Sequence, residues 1–136
     1  GFNSRLDTIQ ASILIEKLKL LDKYNNQRIK IANYYDKNIS NKKITRLNYS
    51  KGSVYHQYVI MTEDKKRLIS LFDKNNIQFG FHYPISINQI DSLKKNFRNN
   101  KFVNAETLAK KCFSIPIDPT LSKKEISKIV KVLNFF

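Results

Sequence analysis

Tryptophan is absent from these 136 residues, cysteine occurs once, and proline and glycine occur three times each. The lone Cys112 cannot form an internal disulfide, and its apolar setting, AKKCFSIPI, marks a buried, inert thiol. One cysteine with two histidines, His56 and His82, makes no zinc-type ligand spacing, so no metal site is expected. No apolar run approaches the roughly 18 residues of a membrane span. No charged segment leads into an apolar core and a small-residue cleavage site, so nothing argues for secretion. The expectation is a cytoplasmic protein with no membrane partner.

Acidic residues are also few, 11 against 25 basic, for a net charge of +14. That balance suits a polyanion binder. Arginine, however, is confined to Arg5, Arg28, Arg46, Arg67 and Arg98, while lysine runs along the whole chain with abundant Ile and Asn. The pattern is that of an AT-biased coding sequence with a solvated surface. No aromatic-and-basic single-strand platform or recognition-helix pattern occurs, so no nucleic-acid partner is expected. A free-standing basic polyanion-binding or nucleic-acid-binding module is the alternative.

What is there is an ordinary globular share of apolar residues, 41%. A chain this long buries roughly two thirds of its unfolded surface without disulfides or metals. Apolar residues from Leu6 to about Asn38 recur at three- and four-residue steps without Gly or Pro. They predict one helix of about 50 Å at 1.5 Å per residue, long enough to lean on something else. Residues 38–53 read as a loop, and VYHQYVIM (Val54 to Met61) as a strand that includes His56, for which a structural role is expected.

Thr62 can cap a helix reaching about Asn76. IQFGFHYP reads as a strand that Pro84 ends, residues 102–111 as a helix, and FSIPI as a short strand. Ser122 and Glu125 form a capping box ahead of the stripe Ile126, Ile129, Val130 and Leu133. The fold class is therefore α/β (α+β), a long N-terminal helix plus a sheet of about three strands covered by helices.

Within the opening GFNSRLD, Ser4 and Asp7 fit a Ser-x-x-Asp helix start, which puts Arg5 in the first turn. There the free N–H groups and the dipole favour an anion that a guanidinium can hold bidentately. The same residues also read as a plain cap followed by a surface Arg.

GFNSRLDTIQASILIEKLKLLDKYNNQRIKIANYY resembles the segment that opens the C-terminal region of the DegT/DnrJ/StrS family. These are pyridoxal-phosphate-dependent aminotransferases acting on nucleotide-linked keto-sugars. YHQYVIMTED, GFHYPI and NAETLAKKCFSIPIDPTLSKKEI resemble later blocks of the family in order and spacing. The Gly-x-Asn-x-Arg opening and the His-Tyr-Pro turn are the more specific marks. The resemblance covers essentially the whole chain but about the last third of a family member. It implies a piece of a longer enzyme, the small C-terminal domain of a fold-type-I aminotransferase, with residues 1–40 a connecting helix and 41–136 the small domain.

The resemblance further implies roles. Asn3 matches an Asn that reaches the cofactor phosphate of the other subunit of a homodimer. Arg5 matches an Arg near the same mouth that meets anionic parts of the substrate. His82 and Tyr83 match a turn lining the sugar-nucleotide side of the site, although His82 alone also reads as a structural imidazole and Tyr83 as a packing ring.

The implied reaction moves an amino group from glutamate to a nucleotide-linked keto-sugar, in surface-polysaccharide or antibiotic-sugar synthesis. The Lys that binds pyridoxal phosphate covalently lies upstream in the family. No catalytic residue is therefore assigned, and the 136 residues alone are expected to be inactive and free of cofactor. A family relative that has lost catalysis and acts as a sensor is a further alternative. Ser86 and Asn88 stand where the family commonly has Pro and a second His, so the substrate loop is expected to differ; Lys101 and Val103 stand where it usually has Asp and Pro, which bears on the helix start and not on the chemistry.

Overall fold

The computed structural model describes residues 5–98 and 100–136. Asp7 caps the first helix, α1 (Thr8–Leu18), accepting from the Gln10 N–H at 3.0 Å. The helix therefore starts three residues later than the Ser-x-x-Asp reading places it. Arg5 precedes the cap, and the free N–H groups of the first turn lie beyond it. Ser4 and Asn3 lie outside the described residues.

The single long helix is in fact two. The Leu20 N–H turns back to the Lys17 carbonyl at 3.0 Å, tightening the last turn, and α2 (Leu21–Asn38) starts afresh without a side-chain cap. No Gly or Pro marks the break, so apolar spacing passes straight across it.

The sheet has three antiparallel strands in the order β1 (Thr45–Arg46), β2 (Tyr58–Met61) and β3 (Cys112–Ile115). β1 lies inside the expected loop, where the Arg46 guanidinium donates to the Asp36 carbonyl. β2 is shorter than the predicted strand: Tyr55 takes a positive φ of 51° and His56 lies in an exposed bend before the strand begins. IQFGFHYP forms no regular strand. Its one bridge joins Gly80 to Ser114, on the free side of β3.

Pairing of Tyr58 with Ile115 and of Ile60 with Phe113 puts these four side chains on one face of the sheet. There they join Ile31, Ala32 and Tyr35 of α2, Leu68 and Phe72 of α3 (Lys65–Lys74), and Ile129, Val130 and Leu133 of α5 (Lys123–Phe135) in the core. Burial pushes the Tyr35 phenol far above its ordinary range. The Tyr58 phenol is pushed up as strongly by burial and by donation to the Asp36 carboxylate at 2.6 Å.

Asp64, not Thr62, caps α3, accepting from the Arg67 N–H at 3.2 Å; Thr62 is buried and accepts from the Asp64 N–H instead. The expected capping box of α5 is present, with Ser122 and Glu125 bonded reciprocally. The ends of α2 and α5 are joined through Asn134, whose Nδ2 donates to the Asn38 carbonyl and whose Oδ1 accepts from the Ser40 N–H, both at 2.8 Å.

Candidate functional site

The other face of the sheet carries Val59 and Ser114 as one cross-strand pair and Met61 and Cys112 as the next. Val59, Ser114 and Cys112 are short side chains and leave space. Helix α4 (Val103–Lys111) and the segment from His82 to Phe102, with 3₁₀ turns at Ile87–Gln89 and Lys94–Phe97, close over it without filling it. A cavity of about 600 Å³ results, with Val59 and Cys112 of the sheet and Leu47, Ile85, Phe97, Phe102 and Leu108 among its lining. Cys112 is buried as expected, and that burial raises its thiol pKa, partly offset by the nearby Lys65 ammonium. Lys65 itself sits 4.6 Å from the Phe81 ring centre and donates to the Ala109 carbonyl, and burial lowers its pKa.

His82 and Tyr83 stand together at the rim of this cavity, ring centres 5.9 Å apart and edge to face. Their placement follows from alternation. Phe79 and Phe81 pack against the core, so Gly80 and His82 take the opposite face, where Gly80 bridges Ser114 through bonds of 3.0 and 2.8 Å. His82 Nδ1 then lies 2.9 Å from the Ser114 hydroxyl. Tyr83, beyond the last bridge, is 74% exposed. Arg5 is exposed and does not line this cavity, so the two neighbouring expectations are brought together and the third is not.

Three residues beyond the assigned site residues belong to the same place. Ser114 anchors the His82 ring, and the alternation of FSIPI could have placed it opposite Phe113 and Ile115. Asn88 donates to Glu106 on α4 at 2.7 Å, tying the loop down where the family commonly has a second His. Ser86 is 8% exposed at the cavity wall, its hydroxyl without a partner among the described residues. The sequence marks these last two only as departures from the family pattern, with nothing to place them at the cavity wall.

Pyridoxal phosphate requires a Lys, a carboxylate for its ring nitrogen and donors for its phosphate. Among the described residues no Lys, Arg, Asp or Glu lines the cavity, so its lining does not fit that group. What the cavity offers is an apolar wall with an imidazole and a phenol at its edge. Among the described residues no group of three or more His, Cys, Asp or Glu is placed to hold a metal ion, and no helix is long and apolar enough to cross a membrane.

Known proteins are similar to this chain in sequence and in architecture. The model of the DegT/DnrJ/EryC1/StrS aminotransferase family matches residues 1–134. The chain is 32% identical to the dTDP-3-amino-3,6-dideoxy-alpha-D-galactopyranose transaminase of Aneurinibacillus thermoaerophilus, over 98% of this chain and 37% of that protein. It is 28% identical to the UDP-2-acetamido-2-deoxy-3-oxo-D-glucuronate aminotransferase of Pseudomonas aeruginosa, again over 98% and 37%.

Among solved structures, a DegT DnrJ EryC1 StrS aminotransferase from Brucella abortus superimposes with a TM-score of 0.88 at 28% identity, over 100% of this chain and 37% of that one. DesV of S. venezuelae, in complex with a ketimine intermediate, gives 0.90 at 25% identity, over 99% and 38%. The chain thus spans under two fifths of the length of these relatives, in their C-terminal part. Since the family model leaves only the last two residues unmatched, the chain belongs to the DegT/DnrJ/EryC1/StrS aminotransferase family.

Proposed function

We propose that residues 1–136 form the substrate-side portion of a cytoplasmic, pyridoxal-phosphate-dependent aminotransferase that transfers an amino group from glutamate to a nucleotide-linked keto-sugar for polysaccharide or antibiotic-sugar synthesis. A connecting helical segment over residues 1–40 leads into the small domain over 41–136. The parent enzyme works as a homodimer, with Asn3 reaching the cofactor phosphate of the opposite subunit and Arg5 meeting an anionic part of the substrate. His82 and Tyr83 hold the sugar nucleotide.

The observation that carries the reading is the pair at the cavity rim: an imidazole anchored on Ser114 beside a phenol left 74% exposed, in a chain of this family. An exposed polar pair on a loop held by a packed sheet is how ligand-orienting groups are commonly presented.

The test uses the complete polypeptide that carries these residues. Tyr83→Phe and His82→Ala are expected to raise KM for the nucleotide sugar about tenfold, one lost hydrogen bond each. Conversion of the bound cofactor by glutamate alone should keep its rate. Equal losses in both half-reactions, or no loss in either, would refute the assignment.

A second reading, a family member acting as a sensor without catalysis, is favoured by two relatives at 28% identity. Their names are the erythromycin biosynthesis sensory transduction protein EryC1 of Saccharopolyspora erythraea and the pleiotropic regulatory protein of Geobacillus stearothermophilus. Turnover by the complete polypeptide separates the two.

A further inference from the structure

His82 is held by more than chance packing. The ring lies so close over Gly80 that a Cβ there would come within 2.7 Å of its Cε1, and Gly80 is itself fixed by its two backbone bonds to Ser114. Glycine at 80 and serine at 114 thus form a seat for the imidazole, and Nδ1 meets the hydroxyl at 2.9 Å.

The direction of that bond follows from what the hydroxyl would otherwise lack. Ser114 is only 6% exposed, and among the described residues Nδ1 is the one partner of its Oγ. Were Nδ1 to donate, the Ser114 O–H would be a buried donor with nowhere to go, which costs more than an unused acceptor lone pair. If the hydroxyl donates, every hydrogen in the seat is used. The neutral ring then carries its own proton on Nε2, which has no partner among the described residues and belongs to an exposed side chain at the rim of the cavity.

We propose that Ser114 and Gly80 are positioning residues that lock His82 in the Nε2–H form, so that the site offers an outward hydrogen-bond donor for an acceptor oxygen of the substrate. A carbonyl, hydroxyl or phosphoryl oxygen suits such a group, and a substrate N–H does not. The link to substrate rests on the function proposed above; the lock itself does not.

The test reads the two separately. Long-range proton–nitrogen correlations of the imidazoles are recorded on the full chain at about pH 8, where an ordinary imidazole is neutral. His56→Gln identifies the His82 signals. The Nε2–H form should dominate, and its ratio to the Nδ1–H form should fall about fivefold in Ser114→Ala, the loss of one ordinary hydrogen bond. Ser114→Thr should restore it.

Gly80→Ala displaces only the ring of an exposed side chain, so it should give the same loss with the fold intact, which covers the case in which Ser114→Ala fails to fold. A dominant Nδ1–H form in the unaltered chain, or an unchanged ratio in both variants, overturns the lock.

In the complete polypeptide, Ser114→Ala should raise KM for the nucleotide sugar about fivefold with kcat nearly unchanged. A shifted ratio with an unchanged KM supports the lock and removes His82 from the substrate. A raised KM with an unshifted ratio does the reverse.

Discussion

Helices α1 and α2 follow one another and carry the same three- and four-residue apolar spacing, yet only α2 is built into the core. It buries Ile31, Ala32 and Tyr35, whereas α1 buries nothing and leaves Ile9 75% and Leu18 68% exposed. Apolar periodicity reports that a face is suited to being covered and does not say by what. In α2 the cover is the sheet and α5; α1 has none within the described residues. Stability should therefore be concentrated on one side of the break at Lys19 and Leu20.

The comparison is tested most severely by truncation in the covered core. Phe72→Ala removes a fully buried ring packed edge to face on Phe113, centres 5.0 Å apart, and should cost about 3 to 5 kcal/mol in denaturant unfolding. Tyr58→Phe deletes the donor to the Asp36 carboxylate and should cost about 2 kcal/mol by the same measurement, the loss of a charge-assisted bond.

Ser122→Ala removes the α5 cap and should cost about 1 kcal/mol near neutral pH. Hydrogen bonds from the Ser122 hydroxyl and backbone hold the Glu125 carboxyl below its ordinary value of 4.5. That part of the cap is therefore fully present above about pH 4.5 and fades as pH falls through the lower folded value. The cost of Ser122→Ala should shrink across that window, with a remainder from the Glu125 N–H, which is bonded to the Ser122 hydroxyl at 3.3 Å at any pH.

The smallest effect is expected in α1. Ile13→Ala should change stability by less than about 0.5 kcal/mol while reducing self-association seen by light scattering. A loss as large as that of Phe72→Ala would break the contrast between the helices.

How much was legible follows the same division. The α5 start was readable because a Ser and a Glu three apart bond reciprocally using neighbours alone. The short strand at FSIPI was readable, though it spans Cys112–Ile115, and so was the buried Cys112 from its apolar setting. The break after Leu18 was not, since it is a backbone tightening without Gly or Pro.

Asp64 displaced Thr62 as a cap because Thr62 is drawn inward, its N–H reaching the Lys111 carbonyl at 3.3 Å. IQFGFHYP kept its alternation but paired at Gly80 alone. In the site, His82 and Tyr83 were named through family likeness. The seat that orients His82 depends on Ser114, thirty-two positions away, which only a folded sheet brings near.

The amide of Asn134 shows how narrow some choices are. Its short stem presents one acceptor to the Ser40 N–H and one donor to the Asn38 carbonyl. Aspartate would set an oxygen against that carbonyl, glutamine would overreach by a methylene, and leucine would leave both backbone groups to water. In a redesigned version of this domain, other residues at 134 would lose that two-ended bridge, a modest loss because the position is exposed to water.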